Sequence, residues 1–483
     1  NTPNNPKLTM EQLKKLVKQL KAIDTYRQIS SVLSWDQETM MPEGAIDARS
    51  NQLSTLTGHL HDMWAQPNLT TEIKSHIDIK TGQPNPNLTN EEQTFMRELY
   101  PIWKRNTQLS KELVTKLSEV TSKAQHVWQE ARKTNNFELF APHLQTIIDL
   151  QKEKVTQLGY KDHPYNTLLD EYEPEMTVEK IDAKFKPLKE QTLERIKNEA
   201  TTKPKTINGT FNRDEQIKYS NQIAAAMGYD FNRGRLDLST HPFTIDIHPS
   251  DVRITTRVSE TNFLEALSST IHEVGHGLYE QGLDSEWAGT PFGTARSMGV
   301  HESQSRLWEI YICQSKPFWE GQLPTLQKLF PDMSQYNADD LYAITHQITP
   351  HWCRVESDVV TYNMHIILRY ECEKALIDGS LAVADLPRVW NQKMRDYLGI
   401  EVESDAKGCL QDVHWSAGLF GYFPTYTLGT LMAEQLYKRL QKEFSNLNEM
   451  IKTAQFKPIK AWLNETIHQH GCRYTTENLM RIQ

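Results

Sequence analysis

Over most of the chain apolar residues return at every third or fourth position between polar ones, the spacing of amphipathic helices rather than of alternating strands. This period predicts helices over 9–34, 44–65, 90–133, 137–157, 177–199, 213–227, 259–282, 298–316, 354–377, 383–397 and 426–444. Several open on capping boxes, such as Thr9 to Gln12 and Thr89 to Glu92, where two side chains can serve each other's orphan backbone N–H groups. Residues 235–257 break the pattern. There Phe243-Thr-Ile-Asp-Ile and Val252-Arg-Ile-Thr-Thr alternate with period two about a turn at Pro249, which predicts a β-hairpin. The expected fold is therefore mostly α with a small antiparallel β-sheet, whose edge could take an extended peptide. The stretch TTKPKTINGTFN at 201–212 suggests a boundary between an N-terminal helical half, 1–205, and a second half, 206–483, or a bend within one continuous domain.

Composition narrows the class. A chain of 483 residues buries a core large enough to need no disulfide staples. Its five cysteines are widely spaced without a CxxC pair, as expected of reduced thiols in a cytoplasmic protein. The polar start NTPNNPKLTMEQLKKL and the lack of any run of eighteen apolar residues predict neither secretion nor membrane insertion. On that expectation the N-x-S/T triplets at Asn68, Asn87, Asn208 and Asn464 carry no weight. A net charge of −9 with no basic cluster argues against nucleic acid and leaves peptides or small molecules as partners.

The chemistry is concentrated in IHEVGHGLYEQGL, residues 271–283. His272 and His276 stand four apart, so both imidazoles leave one helical face and can meet one metal ion, with Glu273 at the edge of that face as a base. A catalytic zinc needs a third protein ligand and an open fourth position. Glu302 in SMGVHESQSRLWEIYI, 302 − 276 = 26 residues further on, is placed for it, because Gly282, Gly289, Pro291 and Gly293 allow a turn between two helices. His301 and Glu309 compete for that place, but the first projects from another side of the helix and the second lies two turns later. Metal plus carboxylate points to hydrolysis. A carboxypeptidase would also need a cation for the substrate's free terminus, and Arg306, Arg354, Arg369, Arg253 and Arg257 are candidates.

HPF at 241–243, DVRITTR at 251–257, HEVGH at 272–276, HESQ at 301–304, CRVESD at 353–358 and GCLQDVHW at 408–415, with SVLSWDQETMMPEGA at 31–45, together resemble the carboxypeptidase Taq family of thermostable metallocarboxypeptidases. The resemblance implies a nearly all-helical, groove-containing fold similar to neurolysin and angiotensin-converting enzyme, and a homodimer. It also implies one zinc ion per chain, or cobalt, and broad removal of C-terminal residues from peptides. Carried over, His272, His276 and Glu302 become metal ligands and Glu273 the general base. Arg354 falls on the family's I-R-x-x-A-D arginine and becomes the carboxylate anchor. The tyrosine of GYFPTY falls on Tyr422 or Tyr426, with Tyr426 favoured. Cys353 and Ser357 depart from that pattern's isoleucine and alanine. Tyr426, His248 and His414 are candidates to stabilise the oxyanion, while Arg253 is a substrate-binding candidate that could instead pin the hairpin to Asp251. The rivals are a dipeptidyl carboxypeptidase or oligoendopeptidase and, in another class, an inactive metal- or peptide-binding protein.

Overall fold

The computed structural model describes residues 10–481, so the expected cap at Thr9 lies outside the described residues. The chain is mainly helical, as its periodicity predicts, and folds into two compact units of discontinuous segments. One comprises the described residues up to Thr107, Phe211–Arg296 and the residues from Ala454; the other comprises Gln108–Thr210 and Ser297–Thr453. The stretch 201–212 contains one of the points at which the chain leaves one unit for the other.

The first unit is built around a helix and a sheet. Helix Phe263–Gly282 buries Leu267, Ile271, Val274 and Leu278, an i, i+4, i+7, i+11 stripe. Full burial of each such side chain contributes about 1.5–3 kcal/mol. The helix lies against strand β3 (Asp251–Thr256), and Gly277 sets how closely. A Cβ there would stand 3.0 Å from the Tyr229 ring and 3.3 Å from Ile254. The hairpin forms as predicted, β2 (Thr244–His248) running antiparallel to β3. The sheet is nevertheless mixed rather than antiparallel, because β1 (Gly234–Leu238) adds to the other side of β3 in parallel, giving the order β1-β3-β2. Two chain reversals separate β1 from β3, so the two strands run the same way. The outer edge of β2 is not fully open either: Arg27 donates to the carbonyls of Asp246 at 2.9 Å and Ile247 at 3.1 Å.

In the second unit helices Lys111–Lys133 and Phe137–Leu158 form a hairpin, and Val359–Asp378 is buried along nearly its whole length. Three of the departures from the expected boundaries have a local cause. The single helix predicted over 90–133 is two, because the Ser110 hydroxyl accepts from Leu113 N at 3.2 Å and starts a new one. The helix predicted over 298–316 is α-helical over Met298–Arg306 and widens to a π-turn over Leu307–Ile312. The one predicted from 354 begins at Val359, because the Asp358 carboxylate caps Val360 N and Thr361 N at 2.9 and 3.0 Å. Arg354 therefore sits on a short 3-10 turn, Arg354–Glu356. Helices Pro67–His76, Lys316–Leu329 and Lys457–Thr466 were not predicted; each carries a proline in its first turn, where that residue starts a helix rather than breaking one. The capping box at Thr89 forms, with Thr89 N to Glu92 Oε2 at 3.0 Å and Glu92 N to the Thr89 hydroxyl at 3.2 Å. No helix among the described residues is long and apolar enough to cross a membrane.

Candidate active site

On helix Phe263–Gly282 His272 and His276 stand four positions apart, slightly more than one turn, and their Nε2 atoms face each other at 3.2 Å. Zinc–nitrogen bonds of about 2.0–2.1 Å at tetrahedral angles put two ligand nitrogens roughly 3.3 Å apart, so this spacing fits one shared ion. His272, His276 and Glu302 offer ligand atoms that all lie within 4.8 Å of one another. Two imidazole nitrogens and a carboxylate oxygen suit a borderline divalent ion. Glu273, on the same helix, is buried, and its Oε2 accepts from the Thr244 hydroxyl at 2.6 Å.

Glu302 is held from its own helix. Arg306, one turn on, donates from Nε to Oε1 at 2.9 Å, and the Ser305 hydroxyl lies 3.1 Å from Oε2. Gly429 of helix Pro424–Glu443 gives that carboxylate its room, since a Cβ there would stand 2.6 Å from Glu302 Cβ.

A chain of charges runs on from this point. The Arg306 guanidinium stacks 4.7 Å over the Tyr362 ring, and the Tyr362 hydroxyl accepts from Arg354 Nη1 at 2.8 Å. Arg354 also donates to Asp412 Oδ1, from Nε at 3.0 Å and from Nη2 at 2.8 Å. The second Asp412 oxygen takes Arg369, at 2.7 Å from Nε and 2.6 Å from Nη2. Burial pushes the Asp412 carboxyl up, but Arg369 and Arg354 outweigh it and hold the group below the ordinary carboxylate range. Arg354 has five N–H donors and these bonds engage three. One on each Nη remains, the number that a bidentate carboxylate uses.

Around Arg354 stand the aromatic candidates. Tyr426 lies beneath the guanidinium at 5.4 Å, and its hydroxyl is 3.3 Å from His414 Nε2. The Tyr422 ring packs 5.5 Å from that of Tyr426. Burial, with some repulsion from Glu302, pushes the Tyr422 phenol up to about 12, and burial raises Tyr426 further, so both stay protonated donors. Burial lowers His414 to about 4, and Arg354 and Arg369 add to it against the opposing pull of Asp412; the imidazole is neutral near pH 7.

This chain matches the model of the "Carboxypeptidase Taq (M32) metallopeptidase" family over residues 15–482. It belongs to that family. Carboxypeptidase 1 of Bacillus subtilis (strain 168) is 36% identical over 459 residues, covering 94% of this chain and 91% of that protein. Thermostable carboxypeptidase 1 of Pyrococcus furiosus is 36% identical over 479 residues, 98% of this chain and 94% of that one. Among solved structures, the M32 carboxypeptidase of Deinococcus radiodurans R1 superposes with a TM-score of 0.92 at 30% identity, covering 98% of this chain and 95% of that one. Membership in this metallopeptidase family implies a divalent metal, and His272, His276 and Glu302 form a candidate site for it.

Not every residue singled out in the sequence joins these clusters. Arg253 is spent on Asp251, with two bonds of 2.8 Å, and its guanidinium covers the Trp35 ring at 4.4 Å. His248 Nδ1 closes the β2–β3 turn onto Ser250, at 3.1 Å from its N–H and 2.6 Å from its hydroxyl. Of the other arginines, Arg257 pairs with Glu265, while Arg369 is wholly enclosed. Asp358 is a helix cap. Thr244, Tyr362 and the part played by Asp412 were missed. Only the Glu302–Arg306 pairing had a local signal, its i, i+4 spacing.

Proposed function

We propose that this chain is a metal-dependent carboxypeptidase that removes C-terminal amino acids from peptides with broad specificity. The observation that carries the choice of substrate end is Arg354, a buried guanidinium fixed by Asp412 and Tyr362 with two N–H groups to spare. An endopeptidase has no use for such a fork, whereas a free carboxylate matches it.

In this reading His272, His276 and Glu302 hold the ion, zinc or cobalt by the chemistry of the donor set. When bound it supplies Lewis-acid activation of water and of the scissile carbonyl. Glu273 takes a proton from the attacking water and returns it to the leaving amine. Arg354 grips the terminal carboxylate with Tyr422 beside it, and Tyr426, backed by neutral His414, donates toward the oxygen on which negative charge develops. Arg253 and His248, already committed to Asp251 and Ser250, are left out. The homodimer is carried over from the resemblance, and a cytoplasmic setting is supported by the five cysteines, which all remain unpaired.

The test is mass spectrometry of a peptide mixture incubated with the metal-loaded protein and with Glu273→Gln. Single residues released stepwise from C-termini support the reading, whereas dipeptides or internal fragments favour an oligopeptidase. Glu273→Gln should keep its metal and lose kcat by about three orders of magnitude or more; brisk turnover by that variant would place the base elsewhere.

A further inference from the structure

We infer that Thr244 is a positioning residue for the reaction: its hydroxyl, bonded to Oε2, fixes the orientation of the Glu273 carboxylate. The inference rests on the reading of Glu273 as the base and extends it to a strand residue in the same unit.

The Thr244 hydroxyl lies 2.6 Å from Glu273 Oε2 and 3.0 Å from the Glu273 backbone carbonyl. A hydroxyl carries one proton and goes to the charged acceptor first, which makes the 2.6 Å contact a charge-assisted bond. With Oε2 so engaged, rotation of the carboxylate about its last torsion is restrained. A terminal sp3–sp2 torsion is otherwise broad, so a free glutamate would spend much of its time misaligned.

The hydroxyl is itself held firmly. Thr244 opens β2 and pairs with Ile254 of β3. The preceding residue is clasped from both sides by one partner: Phe243 N donates to the buried Thr255 hydroxyl at 2.9 Å, and Thr255 N donates to the Phe243 carbonyl at 2.9 Å. Helix Phe263–Gly282 and the sheet pack closely at Gly277, which holds the strand against the helix that carries the base. Positioning of this kind acts on kcat, since a misdirected base leaves substrate binding intact.

The experiment compares Thr244→Val, which keeps shape and strand preference and removes the hydroxyl, with Thr244→Ser, which keeps the hydroxyl, and with Glu273→Gln, all as full-length metal-loaded protein. Expected for Thr244→Val is a fall in kcat of about 10- to 100-fold, the scale of one lost hydrogen bond to a charged group. KM should stay within about twofold, with bound metal and melting temperature unchanged, and Thr244→Ser should recover most of the rate. If Thr244→Val melts lower or loses metal, Thr244→Ala is read by the same criteria beside Thr244→Ser. A hydroxyl-free variant with undiminished kcat beside an inactive Glu273→Gln overturns the inference and leaves the base intact. Equal losses in Val and Ser variants overturn it too, since the hydroxyl would then not matter. An active Glu273→Gln instead removes the underlying assignment of the base.

Discussion

Replacing Arg354 by lysine separates the anchoring role proposed for this residue from its structural one. Lysine keeps a positive charge near Asp412 but has no planar fork. The two N–H groups left on Arg354 could each give a terminal carboxylate a charge-assisted bond of about 1.5–3 kcal/mol, roughly 3–6 kcal/mol together. Lysine recovers one of the two at best, so the acid substrate should lose about 1.5–3 kcal/mol of transition-state binding, about 10- to 150-fold in kcat/KM. The site is buried, and screening by solvent does not reduce this much. Asp412 keeps its bonds from Arg369, so the variant does not strand a lone buried carboxylate. The assay measures kcat/KM for two peptides alike in sequence, one with a C-terminal acid and one with a C-terminal amide, in native and Arg354→Lys protein. General damage slows both peptides equally and cancels in the ratio; loss of the fork slows only the acid. The native protein should prefer the acid by about 100-fold or more, and the variant's preference should shrink by about 10- to 150-fold. An unchanged acid-to-amide ratio would refute the argument, however slow the variant became.

Other perturbations address the metal site and the core around it. Glu302→Ala should lose metal on gel filtration against a weak chelator, and unaltered metal content would reject it as a ligand. Gly429→Ala would place a methyl group 2.6 Å from Glu302 Cβ and 3.0 Å from the Gly299 carbonyl, an overpacking costing about 1–3 kcal/mol; calorimetry should show a lower melting temperature, and titration weaker metal binding. His414 is lowered by burial from an ordinary value near 6.5 to about 4, so its contribution to stability is complete above pH 6.5 and is lost as pH falls from there to about 4, by roughly 3 kcal/mol at most. Denaturant titrations should therefore find His414→Gln less acid-sensitive than the native protein over that interval, and identical slopes would show that His414 is not the group responsible.

How much of this was legible in the sequence depends on how far apart the cooperating groups lie along the chain. His272, Glu273 and His276 lie within five positions on one helix, and the 3.6-residue period alone fixes which way the imidazoles point. The Glu302–Arg306 pair is of the same kind. Arg354 was found through its motif, but its surroundings were not, because a predicted helix from 354 gives the guanidinium the wrong setting. The Asp358 cap delays that helix to Val359 and leaves Arg354 on a turn, where Asp412, 58 residues on, can hold two of its N–H groups. The β-hairpin was visible from its alternation, while β1 was not, since parallel pairing across two chain reversals leaves no local mark. Thr244 is the clearest case. In sequence it is one hydroxyl in a strand pattern, and it acquires meaning only because tertiary packing closes a 29-residue separation to 2.6 Å. The same pattern runs through the site: groups that would touch metal or substrate stand in short recognisable strings, and those that orient them are distant hydroxyls and carboxylates. Positioning demands only a donor or acceptor at one point in space, a condition that many local sequences can meet, so it has no pattern of its own.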